Sequence, residues 1–293
     1  MKSAHQLIFH SLASKFNTLA IDIDIVREVG FDGLETSGSK IKACLDAGIS
    51  KQELRAQLAN LTVPGIGFLT DVERQNSRRL EMLNEAERLC ELATTVQAKG
   101  IEAITGPLST LALEPRAAAA HPDLYRGLVD LPIDEQIDLT AANLRAVADI
   151  AAGHNLVVYL EGLSWTPLNM IEKQLRVIET AARDNLRLVI DFWHAYTSGD
   201  TPEVLSKIDK NLIYGVHLCD SLPFSGGVPD EAILRNVPTG SGVLHLQEWV
   251  DAVKSTGFVG WWSCELFCSR QHQENSYEVA AQLKELMEDL IRR

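Results

Sequence analysis

Eight short apolar runs punctuate this chain, most of them followed by a longer stretch in which apolar residues recur at helical spacing. The runs are QLIFH (6–10), FDGLET (31–36), VPGIGFL (63–69), GIEAIT (100–105), NLVVYLE (155–161), NLRLVID (185–191), LIYGVHL (212–218) and GWWSCELF (260–267). Several are apolar almost throughout, which suits strands buried on both faces of a parallel sheet. The helical spacing shows in Leu80, Leu83, Ala86, Cys90 and Ala93, in Ile137, Ala141, Leu144 and Ala148, and in Ile171, Leu175, Ile178 and Ala182. After the last run it continues through Val279, Leu283, Leu286 and Leu290. Gly30, Gly100, Gly153 and Gly257 stand where a left-handed residue would end a helix before the next strand. Eight β-then-α units without a Pro/Gly linker predict an α/β chain folded as a single closed (β/α)8 barrel over 1–293. The rival, an open doubly wound sheet, would want a glycine-rich phosphate loop after its first strand, and FHSLASKF has none. Long stretches near 106–132, with its tract Ala117–Ala120, and near 221–242 are expected to form inserts on the barrel's catalytic rim.

The chain carries 27 basic and 40 acidic residues, a net charge of −13 that repels phosphate backbones and anionic membranes. Neither a nucleic-acid nor a membrane partner is therefore expected, and no window approaches the roughly 18 apolar residues of a membrane span. Cysteines 44, 90, 219, 264 and 268 form no CxxC pair and read as reduced thiols, with Cys264 and Cys268 as packing residues. The opening MKSAHQLIFHSLASKF breaks its apolar residues with polar ones and resembles no secretory core, so a cytoplasmic location is expected. No pattern speaks to oligomeric state.

The strand ends carry the chemistry. In a parallel barrel the C-terminal strand ends surround one mouth, and here four in succession carry Glu161, Asp191, His217 and Glu265, with His10 and Glu35 at earlier ends. Each alone fits a solvated rim residue or a hydrogen-bonded histidine. Together, three carboxylates in one mouth would repel one another and raise their own pKa values. A divalent cation resolves that conflict, and three carboxylates with one imidazole suit Mn²⁺, Mg²⁺, Co²⁺ or Zn²⁺. His194 and Asp220 each lie three residues past a ligand candidate. His194 reads as a substrate contact and Asp220 as a residue that orients a ligand, with loop or cap chemistry the plainer alternative for both. Trp193, Trp165, Phe68 and Phe224 could wall a sugar pocket or simply pack in the core. Cys219 shows no sign of being a nucleophile.

The segments VVYLEGL, LVIDFWH, YGVHLCDS, NVPTGSG and SCELF resemble, in order, the metal-site segments of the xylose-isomerase-like TIM barrels, a family of sugar isomerases and epimerases. The resemblance places that family's metal quartet on Glu161, Asp191, His217 and Glu265, and its substrate-contacting histidine on His194. It is strongest with the branch of inosose isomerases and related dehydratases, in which an arginine precedes a Pro-Gly-x-Gly turn. Arg235 stands there, although PTGSG carries one extra residue. Ketose 3-epimerases have an arginine soon after the histidine and a second glutamate soon after the first; Leu222–Pro223 and Trp165–Asn169 supply neither. The apurinic endonuclease branch needs further histidines and a basic face, both missing.

The implied chemistry is a metal-dependent isomerisation or epimerisation of a keto-sugar or keto-polyol through a cis-enediolate. Glu161 and Glu265 exchange the proton, and His194, Arg235, Glu35, His10 and Trp193 surround the substrate. Two alternatives stay open. If a hydroxyl lies β to the abstracted proton, the same first step leads to a dehydratase, and a barrel that only binds a polyol would keep the metal without turnover.

Overall fold

Each of the eight apolar runs supplies one strand, and the strands pair in sequence order as a closed parallel barrel in this computed structural model. It describes residues 5–114, 120–121 and 123–292. The strands are β1 (Gln6–His10), β2 (Gly33–Ser37), β3 (Ile66–Leu69), β4 (Gly100–Ile104), β5 (Val157–Glu161), β6 (Leu186–Asp191), β7 (Ile213–Leu218) and β8 (Trp261–Cys264). β1 pairs with both β2 and β8, which closes the ring. A ring of strands has no free edge, so the apolar interiors are covered by helices outside and by stacked side chains such as Ile8, Tyr159, Val189 and Trp261 inside.

Helical spacing alone does not say which stripe faces the barrel. Helix Ile133–Gly153 buries Ile137, Ala141, Leu144 and Ala148 as the pattern predicts. Helix Asn76–Thr95 instead buries Met82, Ala86, Leu89, Cys90 and Ala93 and leaves Leu80 61% exposed. Both stripes fit a 3.6-residue period, and contact with the strands picks one.

The helix ends need a second correction. Gly30 and Gly257 are left-handed, each with φ of 82°. Gly100 instead opens β4 and Gly153 closes its helix, while Gln97, Asn155 and Ala182 take the left-handed positions. Asn155 tolerates this region through its short polar side chain.

Of the stretch near 106–132, residues 115–119 and 122, including Ala117–Ala119, lie outside the described residues. Its described parts are tied to the barrel: Leu108 donates its backbone N–H to Asp71 (2.7 Å), and Tyr125 donates its hydroxyl to Glu73 (2.8 Å). The stretch after β7 is held by Asp220, whose carboxylate accepts the N–H groups of Ser221, Gly240, Gly242 and Leu244. A Cβ on Gly242 would stand 2.2 Å from that carboxylate, so only glycine lets the loop fold back. All four of these bonds are spent on backbone, so Asp220 does loop chemistry instead of orienting a ligand.

Glu73 is 3% exposed, and burial raises its carboxyl to about 7 against the lowering effect of the Tyr125 hydroxyl. A raised folded pKa means that the folded state keeps a proton the unfolded chain loses from about pH 4.5 upward, so stability falls as pH rises toward 7. Glu73→Gln keeps an acceptor for Tyr125 and removes the charge. Thermal melts should show it more stable than the parent at pH 8 by about 1–3 kcal/mol, with the difference gone near pH 4.5. A difference that does not change with pH would contradict this account.

Candidate metal centre

Strand pairing builds the site before any side chain is considered. In the parallel register His10 lies beside Glu35, Asp191 beside His217, and His217 beside Ser263. Glu161 ends β5 and Glu265 follows β8 by one residue. One ligand atom from each of Glu161, Asp191, His217 and Glu265 lies within 4.8 Å of the others. His10, Glu35 and His217 form a second such group that shares the imidazole. Three carboxylates and one imidazole at this spacing fit a divalent cation.

His217 is fully buried, with Nδ1 3.2 Å from Glu161 Oε1 and Nε2 3.1 Å from Glu35 Oε2. Burial disfavours its charge, but the two carboxylates reverse that and hold its pKa well above the ordinary histidine value. Glu35 also accepts from the Tyr159 hydroxyl (2.8 Å) and Ser263 Oγ (2.9 Å). Burial would raise its carboxyl, yet His217 brings it down to about 2. Glu35, expected among the residues around the substrate, is 1% exposed and lies outside the cavity lining. It sits behind His217 and fixes that ring through Nε2, an arrangement that leaves Nδ1 facing the quartet.

Asp191 uses both oxygens. Oδ1 accepts the His194 N–H (2.7 Å) and caps the short helix Phe192–Ser198, while Oδ2 accepts from Cys219 Sγ (2.8 Å) and Arg235 Nη2 (3.2 Å). Burial opposes its ionisation, but Arg235, His194 and His217 outweigh burial and hold the carboxyl below its ordinary value. Arg235 also donates to Glu265 Oε2 (2.6 Å) and Glu231 Oε1 (3.0 Å), with its guanidinium 4.1 Å from the Phe267 ring centroid. It thus ties two quartet carboxylates together as well as lining the cavity. Burial, reinforced by the charges of Glu265 and Asp191, raises Glu161 to about 7, although the His217 hydrogen bond pulls the other way.

The cavity above the quartet has a volume of about 430 Å³. His10, His194, Glu161, Arg235 and Glu265 line it. His194 accepts the Ser164 N–H at Nδ1 (3.1 Å), so the neutral ring carries its proton on Nε2; burial lowers its pKa to about 4. His10 accepts from Leu12 N–H at Nδ1 (3.2 Å) and likewise leaves Nε2–H, 3.8 Å from Glu35 and 4.0 Å from Glu265. Trp193 is fully buried beneath Arg235 and lines no part of the cavity, so it does not wall a sugar pocket. Phe224 is also outside the lining, whereas Trp165 and Phe68 belong to it. Cys264 and Cys268 are buried, as packing requires.

Two acids escape the strand-end pattern. Glu231, on the short helix Glu231–Leu234, lines the cavity and pairs with Arg235. Glu102 is 4% exposed in the middle of β4, points to the cavity, and is pushed well above its ordinary pKa by burial and then by the charge of Glu161. The signal for Glu102 was present in GIEAI, where an acid interrupts an apolar strand.

The family described as xylose isomerase-like TIM barrel matches residues 23–289 of this chain. An inosose isomerase of Bacillus subtilis (strain 168) is 28% identical over 163 residues, covering 54% of this chain and 58% of that protein. The match thus spans little more than half the length of this curated relative. Among solved structures, the IolI protein with a bound zinc atom superposes with a TM-score of 0.84 at 20% identity, covering 98% of both chains. A 3-keto-D-glucoside 4-epimerase of E. coli superposes with a TM-score of 0.74 at 19% identity, covering 97% of this chain and 99% of its own.

Removing Arg235 tests the charge balance. Arg235→Met should lower stability in metal-free buffer by about 3–5 kcal/mol, because it strands buried carboxylates without a partner. Added Mn²⁺ should raise the melting midpoint of this variant more than that of the parent. A variant as stable as the parent without added cation would contradict the role given to Arg235.

Proposed function

The chain belongs to the xylose isomerase-like TIM barrel family, and from that premise we propose a divalent-metal-dependent isomerase or epimerase acting on a keto-sugar or keto-polyol of the inosose kind. The observation that carries this reading is the convergence of Glu161, Asp191, His217 and Glu265 at the mouth of the barrel. The match to proteins named inosose isomerase supports the substrate class.

Those four residues would hold the cation, with Mn²⁺, Mg²⁺, Co²⁺ and Zn²⁺ all compatible with the donor set. When bound, the cation would polarise the substrate ketone and offset the charge that develops on its oxygen. The rest falls to the protein. Moving or inverting a ketone's neighbour requires taking the proton from the carbon between carbonyl and hydroxyl, giving a cis-enediolate. One of Glu161 and Glu265 takes that proton and the other returns one to the adjacent carbon or the opposite face. His194, with its proton fixed on Nε2 by Ser164, donates to a substrate oxygen. His10 offers Nε2–H in the same way from β1. Arg235 orients a substrate oxygen while holding Asp191 and Glu265 in place.

Incubation in D₂O with Mn²⁺ and 2-keto-myo-inositol, ketohexoses or 3-dehydroshikimate tests the reading. Recovered ketone carrying deuterium, without loss of water, is the expected result, whereas an ultraviolet-absorbing enone or diketone would assign a dehydratase. Glu161→Gln and Glu265→Gln should each slow exchange by at least about 100-fold. Near-normal exchange in Glu265→Gln would remove the two-glutamate mechanism.

A further inference from the structure

Among the described residues four acids line the cavity: Glu102, Glu161, Glu231 and Glu265. Three of them have a basic partner. Glu161 meets His217, and Glu231 and Glu265 meet Arg235. Glu102 is 4% exposed, yet no described residue donates a hydrogen bond to it or forms an ion pair with it. Neither group of candidate metal ligands includes it, so it is not placed to hold the cation either. A carboxyl buried without a partner destabilises the fold, and an apolar residue would serve β4 better. The strand is otherwise built that way, with Ile101, Ala103 and Ile104 around it.

The backbone makes room for this acid. A Cβ on Gly67 of β3 would stand 2.9 Å from Glu102 Oε2, and Gly67 itself lines the cavity. In the β4–β5 register Ile104 lies beside Glu161 and Glu102 beside Tyr159. Residues two apart share a face, so Glu102 stands one side-chain step deeper in the barrel than Glu161. It thus faces a part of any bound molecule other than the atoms the quartet holds.

We propose that Glu102 is a substrate-binding residue whose carboxyl hydrogen-bonds a hydroxyl on a carbon outside the reacting ketone–hydroxyl pair. This rests on the keto-polyol reading and deepens it, because the site then selects a polyol that carries a hydroxyl at that place. A ligand with only hydrogen there would leave the carboxyl as it stands in the empty cavity, buried and without a partner.

The test is calorimetric titration, with Mn²⁺ present, of 2-keto-myo-inositol and D-fructose, each against its mono-deoxy analogues. The parent should bind at least one deoxy analogue about tenfold more weakly than the full polyol, the value of one buried hydrogen bond. Glu102→Leu should bind those two ligands alike, whereas Glu102→Gln should keep part of the difference, because its amide both donates and accepts. The melting midpoint of Glu102→Leu should equal or exceed that of the parent, since the carboxyl has no partner to lose. The same discrimination in all three proteins, Glu102→Gln as indifferent as Glu102→Leu, or a parent that binds none of these polyols overturns the proposal. A Glu102→Leu variant that melts lower than the parent or does not fold assigns the carboxyl to folding and overturns it too. Deuterium uptake from D₂O reports the isomerase reading separately. A parent that discriminates hydroxyls through Glu102 but puts no deuterium into any ketone keeps this proposal and loses that reading.

Discussion

Three carboxylates sharing one barrel mouth is the constraint on which the site depends. Glu161, Asp191 and Glu265 approach one another closely enough to bind a single ion, and that closeness is tolerable only with positive charge among them. The protein supplies that charge from two directions. His217 stands between Glu35 and Glu161, and Arg235 reaches Asp191, Glu265 and Glu231 from the loop after β7. Buried ion pairs of this kind add little net stability, because desolvation offsets much of their attraction. Their consequence is positional: His217 and Arg235, with the neighbouring hydrogen-bond donors, hold the oxygens of these acids in fixed directions.

The barrel makes such placement inexpensive. Parallel pairing sets Asp191 beside His217 and His10 beside Glu35 by backbone hydrogen bonds alone. Side chains then need little ordering to meet. Behind them Tyr159 and Ser263 donate to Glu35, so the ring of His217 is held through a carboxylate that is itself held in place. Above them the cavity wall from β3 to β5 combines the acids Glu102 and Glu161 with the apolar side chains of Phe68, Ile104, Leu108, Leu163 and Trp165.

Much of this was legible before folding. Apolar runs of strand length marked all eight strands, and a charged or imidazole residue at successive run ends marked the quartet, because an ionisable group has no reason to close a buried strand unless something there needs it. The sequence was less informative where two patterns were equally good. Leu80 and Met82 both continue a helical stripe, and only packing against the barrel buries one and exposes the other. Left-handed caps at Gln97 and Asn155 carried no glycine to announce them.

By itself, then, the sequence determined the order of strands and helices and which residues stand at the barrel's mouth, since both follow from hydrophobic period and from strand ends. The tertiary structure decided what each of those residues faces. Glu35 came to hydrogen-bond His217, Trp193 went beneath Arg235, and Glu102 came to the cavity wall from the middle of a strand. The physical reason is closure. The contacts that assign these roles join residues far apart in the chain, Ser263 and Glu35 being 228 positions apart, and a local pattern fixes which side of a strand a residue occupies without fixing what the ring brings to meet it.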